Sequence, residues 1–139
     1  NRCDIKTTSL LGNVLQMNTA ANQNCDEIIM HDNNIITEGG ASNIFFVHKN
    51  TICTPKLSNK ILPGITRAIL IEAIKKQGLP FQESDFHINT LKEAACIWFT
   101  SSTKGVAPVK EVVNFNTKLD LDNDLMKQCQ ILYQQRVVN

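Results

Sequence analysis

The chain has 139 residues, 42% of them hydrophobic and 19% charged, which excludes wholesale disorder and a metal-stapled or disulfide-stapled miniprotein. Fourteen Lys and Arg against thirteen Asp and Glu leave a formal charge of +1 with no basic block, so the footprint of a polynucleotide binder is missing and no nucleic-acid partner is expected. There is no run of about eighteen apolar residues, and Asn1-Arg2-Cys3-Asp4 lacks the basic and then apolar pattern of a signal peptide, so the expectation is a cytoplasmic protein without a membrane partner.

Along the chain, apolar residues at helical spacing predict a first helix over residues 9–24, directly after Lys6. Short β-rich runs follow over 27–31, 35–37, 43–48 and 51–54, separated by Asp32-Asn33-Asn34 and Lys49-Asn50, and they read as antiparallel hairpins. Pro63-Gly64 opens a second helix with Ile65, Ile69, Leu70, Ala73 and Ile74 on one face, and Gly78 and Pro80 stop it. Phe81 to Phe86 reads as a strand, Asn89-Thr90 as the cap of a short helical turn, and Cys96 to Thr100 as a buried strand. Val106 to Val113 resumes a strand with Pro108 at an edge or bulge, and a last helix over 122–136 turns Leu125, Met126, Cys129, Leu132 and Tyr133 inward. The sum is one mixed α/β domain over 1–139, with a largely antiparallel sheet flanked by helices.

The five cysteines are widely spread and form no C-x-x-C, and the three histidines are scattered, so the thiols read as reduced core residues and no metal site is expected. Other residues carry the candidate chemistry. Lys6, between Ile5 and Thr7, is either a solvated lysine or, if partly buried, an amine able to condense with a carbonyl. Glu38 precedes Gly39-Gly40 and is either a turn residue or a carboxylate facing a protonated ring nitrogen. In Leu62-Pro63-Gly64-Ile65-Thr66-Arg67 a tight turn enters a helix whose free N–H groups suit an anion, although Thr66 as an ordinary cap explains the sequence equally well. Ser101-Ser102-Thr103 is either a plain loop or a set of hydroxyl and backbone donors for a phosphate.

Taken together, Asp4-Ile5-Lys6-Thr7, Thr37-Glu38-Gly39 with Ser42-Asn43-Ile44-Phe45, Leu62 to Arg67, and Thr100-Ser101-Ser102-Thr103 with Val106 and Pro108-Val109 resemble the class IV (fold type IV) pyridoxal-phosphate enzymes. That family contains D-amino-acid aminotransferases, branched-chain aminotransferases and aminodeoxychorismate lyases. The resemblance implies that Lys6 holds pyridoxal 5'-phosphate covalently and shuttles the proton, and that Glu38 keeps the ring nitrogen protonated. It also implies that Ile65 and Thr66 bind the phosphate with Ser101, Ser102 and Thr103, and that Leu62 packs on the ring face.

The branch is narrower still. Branched-chain enzymes usually carry a tyrosine five positions after the lysine, where Leu11 stands here, and Lys6 to Leu15 is more similar to the D-amino-acid aminotransferases. The resemblance therefore implies transamination of small D-amino acids, of the D-alanine type, with a 2-oxo acid acceptor; aminodeoxychorismate lyase is the second reading, with branched-chain aminotransferase beside it. Family members are homodimers with another domain before the lysine, so the expectation is the cofactor-binding C-terminal part of a two-domain parent. Such a part, alone, is expected to bind cofactor weakly and turn over poorly. A reading of another class makes the chain a catalytically silent assembly domain, but a scaffold has no physical need for both Lys6 and Glu38.

Overall fold

The structure is a computed structural model that describes residues 2–7, 27–39, 42–59, 61, 63–112 and 119–138, with residues 2–7, 27, 39 and 138 described by their backbone. The helix expected over residues 9–24 lies outside the described residues. Among the described residues nine strands form two sheets. β1 (Arg2–Thr7), β2 (Glu27–Asp32), β3 (Ile35–Gly39) and β9 (Glu111–Val112) make a four-stranded sheet in the order β3-β2-β1-β9. β4 (Asn43–His48), β5 (Thr51–Pro55), β6 (Phe81–Ser84), β7 (Cys96–Ser101) and β8 (Gly105–Pro108) make a five-stranded one in the order β6-β5-β4-β7-β8. Two helices, α1 (Ile65–Gln77) and α2 (Asp124–Val138), and a 3₁₀ helix at Ile88–Glu93 complete the described residues.

The two hairpins follow from their turns. Asn33 and Asn34 have φ of 49° and 66°, and Lys49 and Asn50 have φ of 50° and 57°, the paired left-handed conformation whose twist matches that of flanking antiparallel strands. β2 accordingly pairs antiparallel with β3, and β4 with β5. Among the described residues, parallel pairing is confined to β1 with β2 and β9, and to β5 with β6 across the α1 connection.

Unbroken apolar runs in β4 and β7 mean burial on both faces. Ile44, Phe46, Ile97 and Phe99 join one core with Ile29, Ile36 and Val112 of the four-stranded sheet, while Phe45, Val47, Cys96 and Trp98 join a second core with Leu70 and Ile74 of α1 and Met126 and Cys129 of α2. Alternation along each strand thus makes the five-stranded sheet the middle of three layers.

Several local expectations change. Val106 to Val113 is not one strand: β8 ends at Pro108, Val109 donates its N–H to the Ile97 carbonyl at 2.9 Å, and Glu111–Val112 crosses to pair with β1 in the other sheet. Pro108 removes a ladder donor, which its place on the edge strand tolerates. The short helix is capped by His87, whose Nδ1 accepts from the Asn89 N–H at 3.0 Å, rather than by Asn89-Thr90. Asn123 caps α2 by accepting from the Met126 N–H at 3.1 Å, and Gly78 at φ 75° ends α1 as its sequence predicts.

Cys53, Cys96 and Cys129 are free and buried. Desolvation pushes the Cys53 thiol up to about 11 and those of Cys96 and Cys129 up to about 12, with Asp120 adding to the rise at Cys96 and Cys96 adding to it at Cys129. An unfolded chain releases these protons from about pH 9, whereas the folded chain keeps them. Their contribution is therefore complete below pH 9 and lost as pH climbs toward 11 to 12. Urea midpoints are expected to fall between pH 8 and pH 10, and less steeply in a Cys96→Ala/Cys129→Ala variant; identical slopes would refute the assignment.

Candidate functional site

Two constellations occupy neighbouring parts of the fold. The first is a row across the four-stranded sheet. Lys6 is the register partner of Met30 in the parallel β1–β2 ladder. In the β2–β3 ladder Ile29 faces Gly39 and His31 faces Ile36, so Met30 alone on β2 stands opposite both Thr37 and Glu38 on β3. This extra residue brings Glu38 level with Lys6. Two interstrand steps separate their backbones by roughly 10 Å. Met30 and Thr37 are buried and Glu38 is half-buried.

The second constellation gathers the helix end and two strand ends. Asn43, at the start of β4, is the register partner of Thr100 at the end of β7. Strand alternation puts both on the face of Phe45 and Trp98, which carries the helices. A Cβ on Gly64 would stand 2.5 Å from Asn43 Oδ1, so the turn into α1 rests directly on that side chain. Asn43 thus joins the α1 N-terminus to the end of β7.

This end of α1 has no side-chain cap and no acidic residue in its first turn. Its leading N–H groups belong to Ile65 and Thr66, and Thr66 is buried while Ile65 is 76% exposed. Both details correct the sequence reading: Gly64 occupies the cap position in place of Thr66, and Ile65 leaves the apolar face formed by Leu70, Ala73 and Ile74. At the other strand end, the Thr100 hydroxyl is buried without any hydrogen-bond partner. Beyond it Ser101 Oγ accepts from the Lys104 N–H at 3.1 Å and lies 3.4 Å from Thr103 Oγ1, closing a turn that exposes Ser102 and Thr103. Leu62 lies outside the described residues.

Glu38 and Asn43 are five residues apart, so the two constellations are joined by a connection of at most about 17 Å. An uncapped helix end and an orphaned hydroxyl suit an anion, and an amine with a carboxylate at the same level suit proton transfer. Asn43 and Thr100 stand within the motifs that carry the family resemblance, but neither was given a role there. Their further signal in the sequence is a polar residue at each end of an otherwise apolar strand.

Gly64→Ala is expected to destabilise the chain by about 1–3 kcal/mol, because the new methyl collides with Asn43 while the backbone, at φ −65°, tolerates alanine. Urea denaturation of that variant tests it, and Gly64→Ala with Asn43→Ala should recover part of the loss. A destabilisation unrelieved by the second change would contradict the contact.

Comparison with known proteins bears on these positions. The profile of the family described as amino-transferase class IV matches residues 1–112. A D-alanine aminotransferase of Listeria monocytogenes is 40% identical over 111 residues, covering 80% of this chain and 38% of that protein. The chain therefore spans about two fifths of the length of the curated relatives it matches. Among solved structures, an aminotransferase from Brucella abortus bound to the cofactor PLP superposes with a TM-score of 0.85 at 22% identity, covering 98% of this chain and 54% of that one. The Escherichia coli branched-chain amino acid aminotransferase superposes with a TM-score of 0.79 at 23% identity, covering 91% and 48%. At these identities the structures share the fold, and nothing finer follows from them.

Proposed function

The chain belongs to the class IV aminotransferase family, and from that premise we propose that it is the cofactor-binding part of a pyridoxal-phosphate-dependent aminotransferase. Its substrates on this reading are a small D-amino acid, of the D-alanine type, and a 2-oxo acid. What supports the substrate class is the 40% identity to a D-alanine aminotransferase. The same reading takes the protein to be a cytoplasmic homodimer in which a further domain completes the pocket.

The residues present fit the cofactor. The uncapped α1 end and the buried, unpartnered Thr100 hydroxyl are donors lacking an acceptor, which is what a phosphate supplies. When bound, pyridoxal phosphate supplies an electron-withdrawing ring that takes up the charge left as a proton leaves the amino acid Cα. Lys6 would hold the group through its amine and, once released by the incoming substrate, carry that proton. Glu38, level with it across Met30, would hold a proton on the ring nitrogen. Ile65 and Thr66 N–H groups would bind the phosphate together with Ser101, Ser102 and Thr103, and Leu62 would pack against the ring.

The test is a half-reaction with the pyridoxal-phosphate-loaded protein: D-alanine is expected to bleach the cofactor absorbance and release pyruvate far faster than L-alanine. A preference for L-leucine or L-valine would move the protein to the branched-chain branch. Pyruvate formed from aminodeoxychorismate alone would make it a lyase.

A further inference from the structure

Arg67 is the third helical residue of α1, and its side chain is only 5% exposed. A buried cation there opposes the positive end of the helix dipole, so it needs specific partners. Its Nη2 donates to the Pro55 carbonyl at 3.0 Å and to the Glu83 carboxylate, while its Nε has no partner. Pro55 ends β5, and Glu83 lies beside Thr54 in the parallel β5–β6 ladder. The guanidinium therefore ties the first turn of α1 to the point from which the chain leaves β5 for that helix. The connecting segment is held at its start too, where the Lys56 N–H donates to the Ser84 carbonyl at 2.9 Å.

We propose that Arg67 is a positioning residue that fixes the N–H groups of Ile65 and Thr66 for a phosphate without touching it. The inference rests on the cofactor reading above. With no acid in the first turn and no cap, the helix end keeps its positive potential, and Arg67, its charge balanced by Glu83, locks the turn in place against Asn43. Thr100, buried on the same face with its hydroxyl unpartnered, is independent evidence that a polar ligand belongs at this end.

The experiment compares equilibrium binding of pyridoxal phosphate with that of pyridoxal, which has the same ring and aldehyde but no phosphate. Arg67→Ala is expected to weaken pyridoxal phosphate binding by about tenfold to a hundredfold, the scale on which supporting residues act, while changing pyridoxal binding less than about twofold. Arg67→Lys should restore part of the preference. Glu83→Gln, which leaves the guanidinium in place, should lose a smaller part of it, and these two variants decide the matter should Arg67→Ala fail to fold. Equal losses for both compounds, or no loss for either, would make Arg67 a stability residue only and overturn the proposal. A wild-type protein that binds pyridoxal phosphate no better than pyridoxal would overturn the cofactor reading itself.

Discussion

Lys6→Ala is expected to abolish borohydride-stable attachment of pyridoxal phosphate and to cut transamination by about 10³-fold or more, since one amine would serve as both nucleophile and proton carrier. Substituting exposed lysines such as Lys56 or Lys104 should leave labelling unchanged. The loss should be chemical rather than structural, because β1 is held by ladders on both sides, to β2 and to β9. Added small amines should accordingly recover part of the turnover without restoring labelling. Peptide mapping settles the outcome: label spread over surface lysines and insensitive to Lys6→Ala would remove the site from β1.

The largest stability loss is expected at Trp98. It is fully buried, stacks on its ladder partner Phe45 with ring centroids 5.6 Å apart at 4°, and packs in the core beneath both helices. Trp98→Ala should lose about 3–5 kcal/mol, read as the shift of a urea midpoint. Its Nε1 is buried without a partner, so the indole N–H contributes no internal hydrogen bond. Trp98→Phe keeps the stacked face, removes the orphaned donor, and should cost less than about 1.5 kcal/mol. If both substitutions cost the same, packing against Phe45 is not what Trp98 contributes.

What could be read in advance divides along physical lines. Turn dipeptides act locally, so Asn33-Asn34, Lys49-Asn50 and the Gly78 stop were legible before any coordinates. The face of α2 was legible too: Leu125, Met126 and Cys129 are buried where the helical period puts them. Ile65 failed because periodicity assumes that apolar residues mark the inward face, whereas in the first turn of α1 it is Thr66 and Arg67 that are buried. The break after Pro108 was hidden because pairing partners, rather than residue preference, decide which sheet a strand joins. The Lys6 and Glu38 positions came from the family resemblance, and what brings them level is the extra residue in β3, which only the register reveals. Arg67 was visible as part of a motif, but its partners Pro55 and Glu83 are 12 and 16 residues away.

The crossing of Glu111–Val112 into the four-stranded sheet has a consequence for synthesis. β1 is made more than a hundred residues before β9, yet each is the other's neighbour. On a ribosome, the strand bearing the amine waits, flanked on one side only, until nearly the whole match to its family has emerged from the exit tunnel. Closing so long a loop is slow, so nascent chains stalled before residue 111 should accumulate with that strand edge open to foreign pairing.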